Sequence, residues 1–593
     1  MDSRPPLIPA YRTLPEYVRH WAETTPDRRA FTFVDHPAAR SRGVHRTLTW
    51  QGLDRRVRAL AARLAGEAAP GSRVALLCPQ GTDYVTAFLA SLSAGMVAVP
   101  MYPPGLAGHA DRLAGVLADA RPAVVVTSGR AQAEVEAFCG RSRTSRTPVV
   151  AADLVSDLSA MTSPSAPSAP SAPPGLPDAG ATAYLQYTSG STRAPAGVEI
   201  THANVVANAR QALTAYGADR HPVTCVGWLP LYHDMGLVLS VAAPVVAGHP
   251  SVLMDPTAFL HEPARWLRLL AAHPHAVSAA PNFAYEYCAT AVTDVEKAGL
   301  RLDGVAALVN GSEPVRAGTA DRFHAAFAAQ GLAADVHCPS YGLAEATVFV
   351  SASAPGEPLR RFALDRDALA AGKALPARPD DADAVLLTGC GAPVDQQVRI
   401  VDPVSRTALS EGEVGEIWVQ GPNVGRGYWG KEPQSRRVFG AELAGVPGGW
   451  LRTGDLGTLL EGQLTVTGRL KDLIVVDGRN HYPQDVEGTA QDAHPAVRRD
   501  RLAAFGVPGA RRGEGERVVL VAEHARTSRL DDIDVPALAR AVRAAVSARH
   551  GLRLADVVLV APGAVPRTSS GKVSRALTRT RYLEGAYTAR STG

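Results

Sequence analysis

From about residue 70 the chain alternates short apolar runs with longer stretches whose apolar positions recur every three or four residues. "RVALLCP" is followed by "GTDYVTAFLASLSAG", "VAVPMYPP", a helical pattern near 109–121 and "AVVVT" at 123–127. The short runs predict strands buried on both faces and the longer ones helices laid over them, which is βα repetition. Further buried strands are predicted at "TAYLQY" (182–187), "VTCVGWLP" (223–230), "AVSAAPN" (276–282), "GVAALVNGSEP" (304–314) and "ADVHCP" (334–339). Each leads into glycine-rich or helical sequence, so ligand loops are expected at the C-terminal ends of strands.

After residue 385 the pattern changes to short strands and turns ("VRIVDP", "GEIWVQG", "QLTVTGR"), a small β-rich unit. Beyond "GRLKD" (468–472) two strands, "RVVLVAEH" and "ADVVLVAP", lie around the helix "VPALARAVRAAVSARH". That stretch has the size of a separate domain. The expected fold class is therefore α/β: a large N-terminal domain, 1–467, of βα subdomains plus the β-rich unit, then a small α+β domain, 468–593. The segment "TSPSAPSAPSAPPGLPDAG" (162–180) is Ser/Ala/Pro low complexity and reads as an exposed tether.

Composition narrows the function classes. With 593 residues, 46% hydrophobic and 20% charged, the chain is ordinary globular protein too long for one core. A net charge of +4 without a long Lys/Arg block argues against nucleic acid. The start "MDSRPPLIPA" lacks a signal pattern, and the longest apolar run, "MGLVLSVAAPVVAG", is short and interrupted by Pro244. A cytoplasmic protein with no membrane span is expected. The six cysteines are scattered without a CxxC pair, so they read as buried small hydrophobes. Only five of the 61 basic residues are lysines (Lys297, Lys373, Lys431, Lys471 and Lys572), so lysine is kept where a compact point charge matters.

The stretch "YTSGSTRAPAG" (187–197) follows a predicted strand and is rich in glycine and hydroxyls. It lacks the GxxxxGK[ST] pattern, and "GVEIT" after it reads as a strand, which disfavours a P-loop NTPase. Backbone N–H groups and the hydroxyls of Thr188, Ser189, Ser191 and Thr192 can wrap phosphate oxygens, although the string alone is equally a Gly/Ser surface loop. Four more motifs follow in order: "YGLAEAT" (341–347), "WLRTGDLG" (450–457), "GRLKDLIVVDGRNHYPQDVE" (468–487) and "PRTSSGK" (566–572). Together the five resemble the adenylate-forming superfamily of acyl-CoA synthetases, peptide-synthetase adenylation domains and luciferases, from about residue 12 to the last lysine motif. One such motif is weak; five in order are specific.

The superfamily loop usually runs T-G-x-P-K-G, and here it is Thr192, Arg193, Ala194, Pro195, Ala196, Gly197, without its lysine. With "WLPLYHDMGL", "NGSEPVR" and "CPSYGLAEATVFVS", this is similar to the fatty acyl-AMP ligase branch, which commonly lacks that lysine. The resemblance implies a ligase that uses ATP and Mg²⁺ to turn a fatty acid into acyl-AMP and pyrophosphate. It then passes the acyl group to the phosphopantetheine of an acyl carrier protein for polyketide or lipopeptide assembly. Two alternatives stand beside it: a medium- or long-chain acyl-CoA ligase, and a non-catalytic homologue that binds acyl adenylate.

The same resemblance assigns roles. Glu345 is the Mg²⁺ ligand, with Thr188 beside it. Tyr341 and Gly342, with Gly311, Ser312 and Glu313, line the adenine side. Asp455 takes the ribose hydroxyls, with Arg469 reaching ribose. Thr188, Ser189, Gly190, Ser191, Thr192 and Arg193 form the phosphate loop, Arg193 offering a fork in place of the absent lysine. Lys572 supplies the transition-state ammonium, Lys471 marks the turning point of the C-terminal domain, and His233 of "YHD" borders the acyl pocket and the reacting carboxylate. The segment 352–382 resembles the insertion of fatty acyl-AMP ligases that restricts that domain and disfavours coenzyme A.

Overall fold

The computed structural model describes residues 8–38, 41–105, 110–141, 146–155, 176–187, 195–381, 383–476, 478–509, 516–526, 529–568, 571–587 and 591–592. Most of the expected tether therefore lies outside the described residues. Among the described residues the N-terminal part holds a nine-stranded, a seven-stranded and a five-stranded sheet.

The nine-stranded sheet is parallel through Arg29–Asp35, Ser251–Met254, Thr224–Gly227, Ala276–Pro281, Val305–Gly311 and His337–Gly342. Antiparallel strands close its two sides: Val44–Thr49, and Phe349–Ala352 with Ala392–Pro393. In the seven-stranded sheet, Arg73–Leu76, Val97–Pro100, Val124–Thr127, Val149–Ala151 and Thr182–Tyr187 run parallel. Gly197–Thr201 runs antiparallel to Thr182–Tyr187, with Tyr187 opposite Gly197. Thr201 ends that strand and caps the next helix, His202–Ala215; its Oγ1 accepts the Asn204 N–H at 3.1 Å and its own N–H donates to Asn204 Oδ1 at 3.0 Å.

The helix Thr82–Ser93, buried along nearly its whole length, packs against strands of both large sheets and joins their cores. This is the layered arrangement that the two-sided apolar runs require. The apolar run interrupted by Pro244 is likewise interior: Asp234–Leu237, a π-turn Val238–Ala242 and Ala243–Ala247 form one buried helical path. Pro244, which offers no N–H to this path, follows directly on the π-turn. Among the described residues no helix is long and apolar enough to cross a membrane. All six cysteines are buried and none forms a disulfide.

The five-stranded sheet is the expected β-rich unit; its last strand, Gln463–Arg469, pairs with Val446–Leu460 as far as Asp455 opposite Arg469. The short turn Leu470–Asp472 then leads away. The C-terminal part is built on Val497–Val507, Arg517–His524 and Leu554–Val560 with helices Pro483–Asp492, Val535–His550 and Arg575–Leu583. Leu520, Leu538, Val542 and Val557 form a core of its own. The strand Val497–Val507 escapes a reading of the sequence, because "VRRDR" masks the apolar half that follows. The segment 352–382 is not a plain loop: Arg361–Leu364 pairs with Val385–Thr388 and carries the short helix Arg366–Ala370.

Every tryptophan of the chain lies before residue 468, so Leu538→Ala, which costs roughly 2–5 kcal/mol in a well-packed core, should lower the urea midpoint seen by far-ultraviolet circular dichroism. Tryptophan fluorescence, which reports the large part alone, should keep its midpoint.

Candidate active site

The C-terminal ends of the nine-stranded sheet, the turn Leu470–Asp472 and the loop before Arg575–Leu583 enclose a cavity of about 710 Å³. One wall is the end of the strand His337–Gly342. An added Cβ on Gly342 would lie 1.6 Å from the Val348 carbonyl oxygen, and one on Gly311 2.9 Å from that of Ser340, so only glycine lets these backbones close up. Ser312 (φ 69°) and Thr347 (φ 67°) sit in the left-handed region on the same wall, strain of the kind that gathers at sites.

Tyr341, buried on this wall, donates its hydroxyl to Asp455 Oδ2 at 2.8 Å. The other carboxylate oxygen of Asp455 meets Arg469 Nε at 3.0 Å. Register explains the pair, since Asp455 and Arg469 are direct partners across the two strands. Burial pushes the Tyr341 hydroxyl well above its ordinary range, and the Asp455 charge pushes it further, so it stays a donor.

Glu345 lies on the turn Ala344–Ala346 and lines the same cavity. Its Oε1 accepts the Tyr428 hydroxyl at 2.8 Å. Burial holds its carboxyl above the ordinary value, and Asp455 and Asp234 add to this against the pull of Tyr428. A carboxylate in that setting favours a cation beside it. Tyr428 is a site residue that sequence reasoning missed; its signal was "GYW", a short strand paired with Gly197–Thr201 directly after the phosphate loop.

His233 caps the helix Asp234–Leu237, and its Nδ1 is 2.6 Å from Asp234 Oδ1. A carboxylate only accepts, so the proton of this contact sits on Nδ1. Burial works against the charge on Asp234, yet His233, its hydrogen bond and Lys572 together hold that carboxyl below its usual value.

Lys572 reaches this cavity from the C-terminal part. A tight turn presents it: Thr568 N–H donates to the Lys572 carbonyl at 2.8 Å, Gly571 N–H to Thr568 O at 2.9 Å, and Gly571 adopts φ 87°. Burial lowers the affinity of the Lys572 ammonium for its proton, and Arg469 lowers it further against Asp234, Glu313 and Asp455. Three residues on, Arg575 is held by Glu487 through two hydrogen bonds of 2.6 Å and reaches Asp472 at 3.5 Å. The lysine turn is thereby fastened to the residue next to Lys471, which lines the cavity rim.

Gly311, Ser312, Tyr341, Gly342, Glu345, His233, Asp455, Arg469, Lys471 and Lys572 thus line one cavity. Glu313 does not line the cavity: its Oε1 accepts the Phe283 N–H at 2.6 Å at the start of the helix Asn282–Ala291, while its charge still acts on Lys572. Thr188, Ser189, Gly190, Ser191, Thr192 and Arg193 lie outside the described residues. Ala196, where the superfamily carries lysine, does line the cavity.

The AMP-binding enzyme family model matches residues 18–429. The chain belongs to this family. A second model, described as a Disco-interacting protein 2-like AMP domain, matches residues 471–592 of this AMP-binding enzyme. The long-chain-fatty-acid–AMP ligase FadD26 of Mycobacterium marinum is 41% identical over 589 residues, 97% of this chain and 98% of that protein. A structure from work on fatty acyl-adenylate ligases of E. coli and L. pneumophila aligns with TM-score 0.84 at 32% identity, over 97% of this chain and 98% of the other. The L. pneumophila fatty acyl-adenylate ligase in complex with acyl adenylate and pyrophosphate aligns with TM-score 0.73 at 31% identity, 97% of each chain being covered. The fold of this AMP-binding enzyme is that of the adenylate-forming enzymes, and it is an AMP-forming ligase.

Lys572→Ala is expected to lower pyrophosphate release by on the order of 10²–10⁴-fold, the usual effect of removing a transition-state charge contact. Because the proton on Lys572 is held less tightly than on a free lysine, kcat/KM should fall on the alkaline side at lower pH than an ordinary lysine would give. Lys572→Arg, which keeps its charge, should move that limb upward in a pH–rate profile.

Proposed function

We propose that this ligase joins a fatty acid to the α-phosphate of ATP and hands the acyl group to the phosphopantetheine thiol of an acyl carrier protein. The observation that carries the reading is the assembly of Tyr341, Asp455, Arg469, Glu345 and Lys572 around one cavity that continues into an apolar pocket. Tyr216, Leu239 and Val309 belong to both spaces. Behind them Leu213, Val223, Ala243, Pro244 and Ala279 line the second pocket, with the π-turn Val238–Ala242 as part of its wall. The walls are apolar and enclose about 40 Å³, room for the near end of an alkyl chain.

In the first step a carboxylate oxygen of the acid attacks the α-phosphorus, the bond to the bridging oxygen of the β-phosphate breaks, and pyrophosphate leaves. Both reactants are anions, so cations aimed at the oxygens that gain charge lower the barrier. Lys572, which lines the cavity, suits this role, and Arg469 with Asp455 suits the ribose side. A magnesium ion fits Glu345: the carboxyl is buried, keeps an oxygen beyond its bond to Tyr428, and gains by a nearby cation. Among the described residues no cluster of three His, Cys, Asp or Glu makes a closed cage. That agrees with an ion that draws most of its shell from water and substrate oxygens and supplies charge neutralisation there. His233, which lines the cavity, suits contact with the acid. In the second step the carrier thiol attacks the acyl carbonyl, its proton passes to a base, and AMP departs. The reading places the enzyme in the cytoplasm, with 468–593 as a domain that turns about Lys471 between the two steps.

Preference for a carrier over coenzyme A is supported by the seating of 352–382. Leu364, Leu369 and Ala374 of this segment pack with Tyr482 and Leu473 of the C-terminal part. Arg366 donates to His550 Nδ1 at 3.3 Å, while His550 Nε2 pairs with Thr489 Oγ1 at 2.7 Å. Burial, with Arg366 and Arg549 alongside, pushes this imidazole down to about 3, so it serves as a neutral bridge.

The test is pyrophosphate release across fatty acids of graded length, with carrier protein and coenzyme A offered separately as acceptors. Acid-dependent release and a thioester on the carrier alone are expected; thioester on coenzyme A at an equal rate would favour the acyl-CoA ligase. The double variant Arg366→Ala/Tyr482→Ala should gain transfer to coenzyme A, read by mass spectrometry, while pyrophosphate release changes by less than about threefold, since neither residue meets the reacting atoms.

A further inference from the structure

Lys431 is one of the five lysines and does not line the cavity. It begins the helix Glu432–Phe439 as its cap residue, and its ammonium donates to the carbonyl oxygen of Pro195. The same ammonium stands 4.0 Å from Asp119 Oδ1, and Asp119 Oδ2 accepts the Tyr187 hydroxyl at 2.6 Å. Tyr187 and Pro195 are the described residues on the two sides of the phosphate-loop motif. One ammonium and one carboxylate therefore hold both of its flanks.

The neighbours of Lys431 extend the tie. Gly427 and Tyr428 pair with Glu199 and Val198, the Trp429 N–H donates to Gly197 O at 2.8 Å, and the Tyr428 hydroxyl holds Glu345. Gly197 lies tight against Tyr187; an added Cβ would be 2.9 Å from the ring carbon Cζ. Residues 427–431 thus form a strap that reaches Glu345 at one end and the Pro195 carbonyl at the other.

Peptide planarity gives the contact its meaning. In a trans peptide the C=O of one residue and the N–H of the next point to opposite sides. With the Pro195 carbonyl drawn away to Lys431, the N–H of Ala196 is turned the other way, and Ala196 lines the cavity. We propose that Lys431 is a positioning residue for the terminal phosphates of ATP: it acts from outside the cavity by aiming the Ala196 N–H at them. In a chain whose loop carries no lysine at 196, the ammonium that serves the loop stands behind it.

This inference rests on the adenylation reading, and the experiment separates the two. Full-length Lys431→Met should raise the KM for ATP and the inhibition constant of pyrophosphate by about tenfold, the loss expected for one hydrogen bond to an ionic partner. Affinity for preformed acyl-AMP, which lacks the β- and γ-phosphates, should change by less than about twofold, as for a contact the ligand does not make. Lys431→Arg should restore most of the loss, and Asp119→Asn should shift ATP and pyrophosphate in the same direction by a smaller factor. Unchanged ATP and pyrophosphate constants in folded Lys431→Met, or an equal weakening of acyl-AMP, would overturn the assignment. If Lys431→Met fails to fold, the same readouts on Lys431→Arg and Asp119→Asn decide it. If the parent enzyme released no pyrophosphate with any acid, the adenylation reading would fall, and calorimetric ATP binding to parent and Lys431→Met would still decide the role of Lys431.

Discussion

Two anions brought together out of bulk water repel each other strongly, and the site is arranged around that fact. Coulomb energy grows as water is excluded, so the cations must be present when the reactants meet and must themselves be tolerable before then. In the proposed mechanism Lys572 meets this demand. Its ammonium is half-buried and holds its proton less firmly than usual, yet Asp234, Glu313 and Asp455 act on it from several sides. The surrounding carboxylates make a buried cation bearable, and the backbone turn at Thr568 fixes where it stands.

The rest of the fold sets distances for that arrangement. Strand register puts Asp455 opposite Arg469, and the close approach allowed by Gly342 sets Tyr341 against Asp455. Tyr428 links Glu345 to the strand after the phosphate loop. Functional side chains drawn from three sheets and a separate C-terminal core are thus referred to one another through backbone pairing. That is stiffer than side-chain contact alone, and it suits chemistry that fails when a group is misplaced by an ångström.

The βα repetition, the β-rich unit and the small C-terminal part were legible because apolar periodicity reports burial on one or both faces. The motif residues were legible only through five motifs in order, whose resemblance to the adenylate-forming superfamily implied each role; taken alone, Tyr341 reads as core and Asp455 as a turn aspartate. What escaped had no such mark. The strand Val497–Val507 begins in charged sequence. Tyr428 and Lys431 stand in "GYWGK", where a tyrosine and a lysine look like surface until tertiary pairing sets them against Glu345 and Pro195. Glu313, adjacent to the cavity in sequence, is claimed by a helix terminus at Phe283 instead. Non-local hydrogen bonds of this sort leave no periodic trace.

The seating of Tyr482 among Leu364, Leu369 and Ala374 has a dynamic corollary. If 468–593 turns between the two chemical steps, as proposed, it must first pull this aromatic ring out of its apolar niche and wet it. Such a barrier belongs to solvent and side-chain packing rather than to reacting bonds. The tempo of turnover would then respond to solvent viscosity more than to the leaving-group quality of the acid, and a greasy contact far from the phosphates would act as the clock of the cycle.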